Sequence, residues 1–62
     1  MSKYGHLVGR TIRVKIDGHE QPARINRPLV VNGGGLNLEL WHEDWQTMIY
    51  VTIPLDDARL QP

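Results

Sequence analysis

Leu36-Asn37-Leu38-Glu39-Leu40-Trp41, followed after a short polar segment by Gln46-Thr47-Met48-Ile49-Tyr50-Val51-Thr52-Ile53, is the stretch that decides the fold class. In the first run a leucine falls on every second residue, the period of a strand with one buried face. In the second run Ile49, Val51 and Ile53 keep the same rhythm. His42-Glu43-Asp44-Trp45 between them reads as a turn, so the two runs form a hairpin. Laying Trp41 opposite Gln46 puts Leu38 against Ile49 and Leu36 against Val51. The other face then pairs Glu39 with Met48 and Asn37 with Tyr50. Both faces sort without conflict.

Working outward, Thr11-Ile12-Arg13-Val14-Lys15-Ile16 alternates in the same way, with Arg13 and Lys15 outward. Asp17-Gly18 ends that strand and His19-Glu20-Gln21-Pro22 prolongs the loop. A second strand runs from about Ala23 to Val31. Arg27 falls on its apolar side and Pro28 cannot donate to a ladder, so a bulge or kink is expected there. Asn32-Gly33-Gly34-Gly35 reads as a turn. Pro54 stops the fourth strand, Asp56 is expected to cap one helical turn through Asp57-Ala58-Arg59, and Leu60 closes onto the core. The expected core is Val8, Ile12, Val14, Ile16, Ile25, Leu29, Val31, Leu36, Leu38, Leu40, Ile49, Val51, Ile53 and Leu60. No stretch of ten residues keeps an apolar period of 3.6.

Two segments carry a resemblance. Val8-Gly9-Arg10-Thr11-Ile12-Arg13-Val14 resembles the entry to an SH3-like barrel, a glycine turn followed by an alternating first strand. Ile53-Pro54-Leu55-Asp56-Asp57-Ala58-Arg59-Leu60 resembles the short helical turn before its closing strand. The chain thus looks like the SH3-like class that includes Tudor-like and KOW-like modules. The resemblance implies an all-β, five-stranded small barrel with a short 3-10 turn near the C-terminus. Such barrels take peptides, modified side chains, RNA, DNA or copies of themselves, and a few plasmid-borne reductases are built from them, so the resemblance implies a shape and not a ligand.

With 62 residues there is room for one domain, and a chain this short buries only about 60% of its unfolded surface. The absence of cysteine removes disulfides, thiolate metal sites and thiol nucleophiles together. Self-association is then one of the few routes left to extra stability. No apolar run can span a membrane, and the start has no apolar leader, which suggests a cytoplasmic protein. Its small size fits an accessory protein of the kind a phage or mobile element encodes. Seven basic and seven acidic residues cancel but are segregated. Lys3, Arg10, Arg13, Lys15, Arg24 and Arg27 face only Asp17 and Glu20 in the first half, a balance of +4. Arg59 alone answers Glu39, Glu43, Asp44, Asp56 and Asp57 in the second, a balance of −4.

The strongest candidate site is aromatic. Trp41, Met48 and Tyr50 fall on the outward face of the third and fourth strands, with Trp45 beside them in the turn. Exposed aromatics and methionine together are typical of interface cores, so a protein partner or a second copy is expected there, the competing reading being that Trp41 and Trp45 fold over the barrel mouth as core. The alternative is a nucleic-acid interface on Arg13, Lys15 and Arg24, against which stands a near-neutral isoelectric point. His42-Glu43-Asp44 reads as a solvated turn rather than a metal site, because adjacent residues do not converge on one ion without strain. Neither a metal nor a cofactor is expected. Catalysis is not expected either: the single serine is Ser2, and no nucleophile and base are neighbours in this register. A lone barrel of this size also lacks depth for a pocket of about 300 Å³.

Overall fold

The computed structural model describes residues 3–62 of the chain, so Ser2 lies outside it. Four antiparallel strands follow one another as a meander: β1 (Thr11–Ile16), β2 (His19–Asn32), β3 (Gly35–His42) and β4 (Thr47–Pro54), in the order β1-β2-β3-β4. Two 3-10 turns flank them, one at Gly5–Leu7 and one at Ala58–Leu60. The domain is all-β, but among the described residues there is no fifth strand and the sheet stays open, so the expected five-stranded barrel is not formed. What takes its place is the second 3-10 turn. Arg10 Nη1 donates to the carbonyls of Arg59 (3.1 Å) and Gln61 (2.6 Å), and His6 Nε2 donates to that of Leu60 (2.9 Å). Side chains thus satisfy the carbonyls that a closing strand would have offered to β1. Asp57, rather than Asp56, caps this turn, its Oδ1 accepting from the Arg59 N–H at 2.8 Å.

Local chemistry explains the meander. Asp17 and Gly18 both take positive φ, 51° and 81°, the requirement of a two-residue hairpin turn whose twist matches its strands. The turn is therefore tight, and His19–Pro22 pair with β1 instead of looping away, Ile16 facing His19 and Arg13 facing Pro22. Pro22 sits beyond the end of β3, whose pairing with β2 starts at Arg24 opposite Trp41. Register shifts between Ile25 and Arg27 and between Pro28 and Val31 supply the expected kink. Pro28 faces Leu38, a residue whose own backbone bonds go to β4, so its missing N–H leaves no ladder acceptor empty. Gly35 sits in tight quarters: a Cβ there would lie 2.5 Å from the Thr52 methyl.

Ile12, Val14, Ala23, Ile25, Leu36, Leu38, Leu40 and Ile53 fill the concave side, with Leu7 and Leu60 from the two 3-10 turns sealing it. Three expected core residues are not inside. Val8 points to solvent from the first turn, and Leu29 and Val31 are exposed with Val30 between them, because the register shifts on either side of Pro28 interrupt the inward alternation of β2. Ile16, Ile49 and Val51 are only partly buried, each packed against the rim of the core. Leu7 and Ala23 join the core without having been in the expected set, Ala23 although it shares the inward parity of Ile25. The β3–β4 hairpin keeps the expected faces but slips by two residues: Leu40 faces Ile49, Leu38 faces Val51 and Leu36 faces Ile53. No helix among the described residues is long and apolar enough to cross a membrane.

Candidate interaction surface

Strand parity generates the surface. Because the leucines of β3 point inward, Glu39 and Trp41 point outward, and their cross-strand partners on β4 are Tyr50 and Met48. On the other side Trp41 faces Arg24, which in turn faces Thr11 of β1. One row across the convex face therefore reads Thr11, Arg24, Trp41, Met48. Tyr50 is 64% exposed and Met48 37%, whereas Trp41 is half-buried, its indole N–H donating to the Glu43 carboxylate.

At the centre of this face lies a buried carboxylate. Glu39 Oε1 accepts from Asn26 Nδ2 (2.6 Å) and Arg27 Nε (3.2 Å), and its Oε2 accepts from the Tyr50 hydroxyl (3.2 Å). The Asn26 amide bond, helped by Arg27 and Tyr50 and opposed by desolvation, holds its carboxyl below the usual range. The same hydroxyl bond, together with the neighbouring negative charge, raises the Tyr50 phenol. Tyr50 is thereby fixed in orientation while its ring stays outside. A fixed, exposed ring binds a partner at low entropic cost.

Trp45 does not join this group. It stacks on His42 with ring centroids 4.3 Å apart, and His42 shares the inward parity of Leu36, Leu38 and Leu40. Trp45 thus covers the concave side at the end of the sheet and remains 49% exposed. His42 is the opposite of a solvated turn residue. It is 2% exposed, accepts the Trp45 backbone N–H at Nδ1 (3.1 Å), and so carries its proton on Nε2, which donates to Gln21 Oε1 at 2.7 Å. Sequence reasoning missed this histidine, although its place two residues beyond Leu40 was a usable signal.

The cations Arg13, Lys15 and Arg24 are all exposed and outward. Arg24 alone adjoins the aromatic row. Arg13 is engaged with Glu20, through Nε to the carboxylate at 3.4 Å and Nη2 to the carbonyl at 3.1 Å. Lys15 makes no ion pair among the described residues. Between the open edges of β1 and β4 lies a cleft of about 400 Å³, larger than expected for so small a chain, lined by Arg13, Val14 and Lys15 on one side and Val51, Thr52 and Ile53 on the other. Arg59 spans it and donates to the Arg13 carbonyl at 2.6 Å. Among the described residues no three histidines or carboxylates gather closely enough to share a metal ion. Compared with protein-family models, with curated proteins and with solved structures, the chain matches none.

Proposed function

We propose that this chain is a non-enzymatic protein-interaction module of the SH3-like class, acting in the cytoplasm through the convex face of β3 and β4. The supporting observation is Tyr50: a ring 64% exposed, fastened at its hydroxyl to a buried carboxylate, beside Met48 and Trp41. Such a grouping combines apolar area with little freedom left to lose, the composition of an interface centre. The meander and its terminal 3-10 turn support the class assignment, since these are the parts of the SH3-like plan that the chain carries.

A second reading, a nucleic-acid surface, has one observation in its favour: Arg24 is the direct neighbour of Trp41, and a cation beside an exposed ring suits a stacked base and its phosphate. Placing a photo-crosslinking residue singly at positions 48, 50, 15 and 24 in the native cells separates the two. The proposal expects polypeptide adducts from 48 and 50 and few from 15. Nucleic-acid adducts from 15 and 24 would transfer the assignment to the second reading. Adducts from none of the four would end both.

A further inference from the structure

The sheet has two edges, and natural proteins guard an edge with charges, proline, a bulge or a covering segment. The β1 edge is guarded. Arg13 and Lys15 stand on it, and the Arg59 guanidinium occupies the Arg13 carbonyl. The β4 edge has no such guard before Pro54: Thr47-Met48-Ile49-Tyr50-Val51-Thr52-Ile53 contains no charged residue and is rich in β-branched and aromatic side chains. The Leu55 N–H bonds to the Gly34 carbonyl at 2.9 Å, and alternation along the antiparallel ladder then assigns the backbone groups of Ile53, Val51 and Ile49 to β3. Those of Met48, Tyr50 and Thr52 point away from the sheet. Among the described residues, the one side-chain hydrogen bond to these groups is a 3.5 Å approach of the Thr47 hydroxyl to the Met48 carbonyl.

We infer that β4 pairs with β4 of a second copy of this chain, antiparallel about a two-fold axis at Tyr50. This rests on the reading of β3 and β4 as the interaction surface and names its occupant. Self-pairing puts Tyr50 opposite Tyr50 of the copy and Met48 opposite Thr52 of the copy. The outward N–H and C=O groups of these residues then satisfy one another, and Pro54, which lacks the donor, ends the ladder. On the concave side Ile49 lies opposite Val51 of the copy, covering the apolar area that leaves both only partly buried. On the convex side the two rows of Trp41, Met48 and Tyr50 become continuous. An uncharged strand meets its own copy without repulsion. The β1 edge, with Arg13 and Lys15, does not.

Sedimentation equilibrium on three chains tests the register. The unsubstituted chain is expected at twice the chain mass. The double variant Met48→Lys, Thr52→Lys sets like charges opposite at two places and is expected at once the chain mass, with its far-UV circular dichroism unchanged. The double variant Met48→Lys, Thr52→Glu sets opposite charges at the same two places and is expected to return to twice the mass, less so at high salt. Positions 48 and 52 are four apart on one strand, so within a chain they do not pair. Should the double-lysine variant fail to fold, the mass of the lysine–glutamate variant and its salt dependence still decide. A monomeric unsubstituted chain at every concentration overturns the inference. If its Tyr50-position crosslinker still captures another polypeptide, the proposed function survives. A dimer indifferent to the charges at 48 and 52 overturns the pairing.

Discussion

The β1 edge and the β4 edge belong to one four-stranded sheet, yet they meet solvent in opposite ways. Along β1 the outward positions are Thr11, Arg13 and Lys15, and a side chain from the C-terminal turn closes one of the exposed carbonyls. Along β4 the outward positions are Met48, Tyr50 and Thr52, and their backbone groups remain open. An open sheet is stable as a single copy when both edges are blunted. Blunting one of them leaves a single direction in which the sheet can grow. Under the proposed self-pairing that asymmetry has a use: cations stand on the edge that stays single, and the edge that pairs carries no charge.

The largest expected effect comes from removing the support common to both edges. Leu38 is fully buried at the centre of β3, facing Pro28 and Val51. Leu38→Ala is expected to cost about 3 kcal/mol, measured by denaturant unfolding, and to loosen both edges together. A chain of this size has little more than that to lose. Loss of one edge's order alone would show that the two fold as separate units.

A smaller effect sharpens the β4 side. His42→Ala removes the acceptor of the Trp45 N–H, the donor to Gln21 and the stacked ring at once. A cost of about 2 kcal/mol is expected, with Trp45 fluorescence moving toward that of a solvated indole. An unchanged emission would contradict the placement of Trp45 over His42 rather than beside Tyr50.

The β1 side is addressed by pH. Asp57 is lowered from 3.8 to about 2, first by the Arg59 side chain and then by the Arg59 backbone N–H. Its carboxylate therefore contributes stability that is fully present above about pH 4 and is lost as pH falls toward about 2. Glu39, also lowered, adds a loss of the same sign. Asp57→Asn is expected to reduce the loss in that window, to lower the melting temperature modestly at neutral pH, and to free Arg59 from its two-toothed hold. Identical acid profiles for the two chains would show that this cap does not hold the turn over β1.

Much of the fold was legible because one rule, the two-residue alternation, governs most of it. Thr11–Ile16 appears with its bounds, and Leu36, Leu38 and Leu40 face inward as the rhythm requires. The β3–β4 pairing slipped by two because Glu43–Gln46 all enter the turn. Gln46 takes a φ of 50° and its N–H returns to the Glu43 carbonyl, so the first pair is His42 with Thr47. A slip of two preserves faces, which is why Trp41, Met48 and Tyr50 stayed together. The fifth strand failed for a reason outside local rhythm: Arg10 and His6, about fifty residues away in sequence, bind the carbonyls of the C-terminal turn. Leu29 and Val31 have the apolar character of core residues, but the register shifts on either side of Pro28 break the alternation that would have turned them inward. Trp45 parted from Trp41 because a turn reverses direction and a neighbouring histidine offered a flat buried ring.

Amide hydrogen exchange, read residue by residue at low and high protein concentration, compares the two edges in one experiment. Slowing with concentration at Met48, Tyr50 and Thr52, with Thr11 and Lys15 exchanging at the same rate throughout, is the expected result. Equal and fast exchange at Met48, Tyr50 and Thr52 at every concentration would contradict the account.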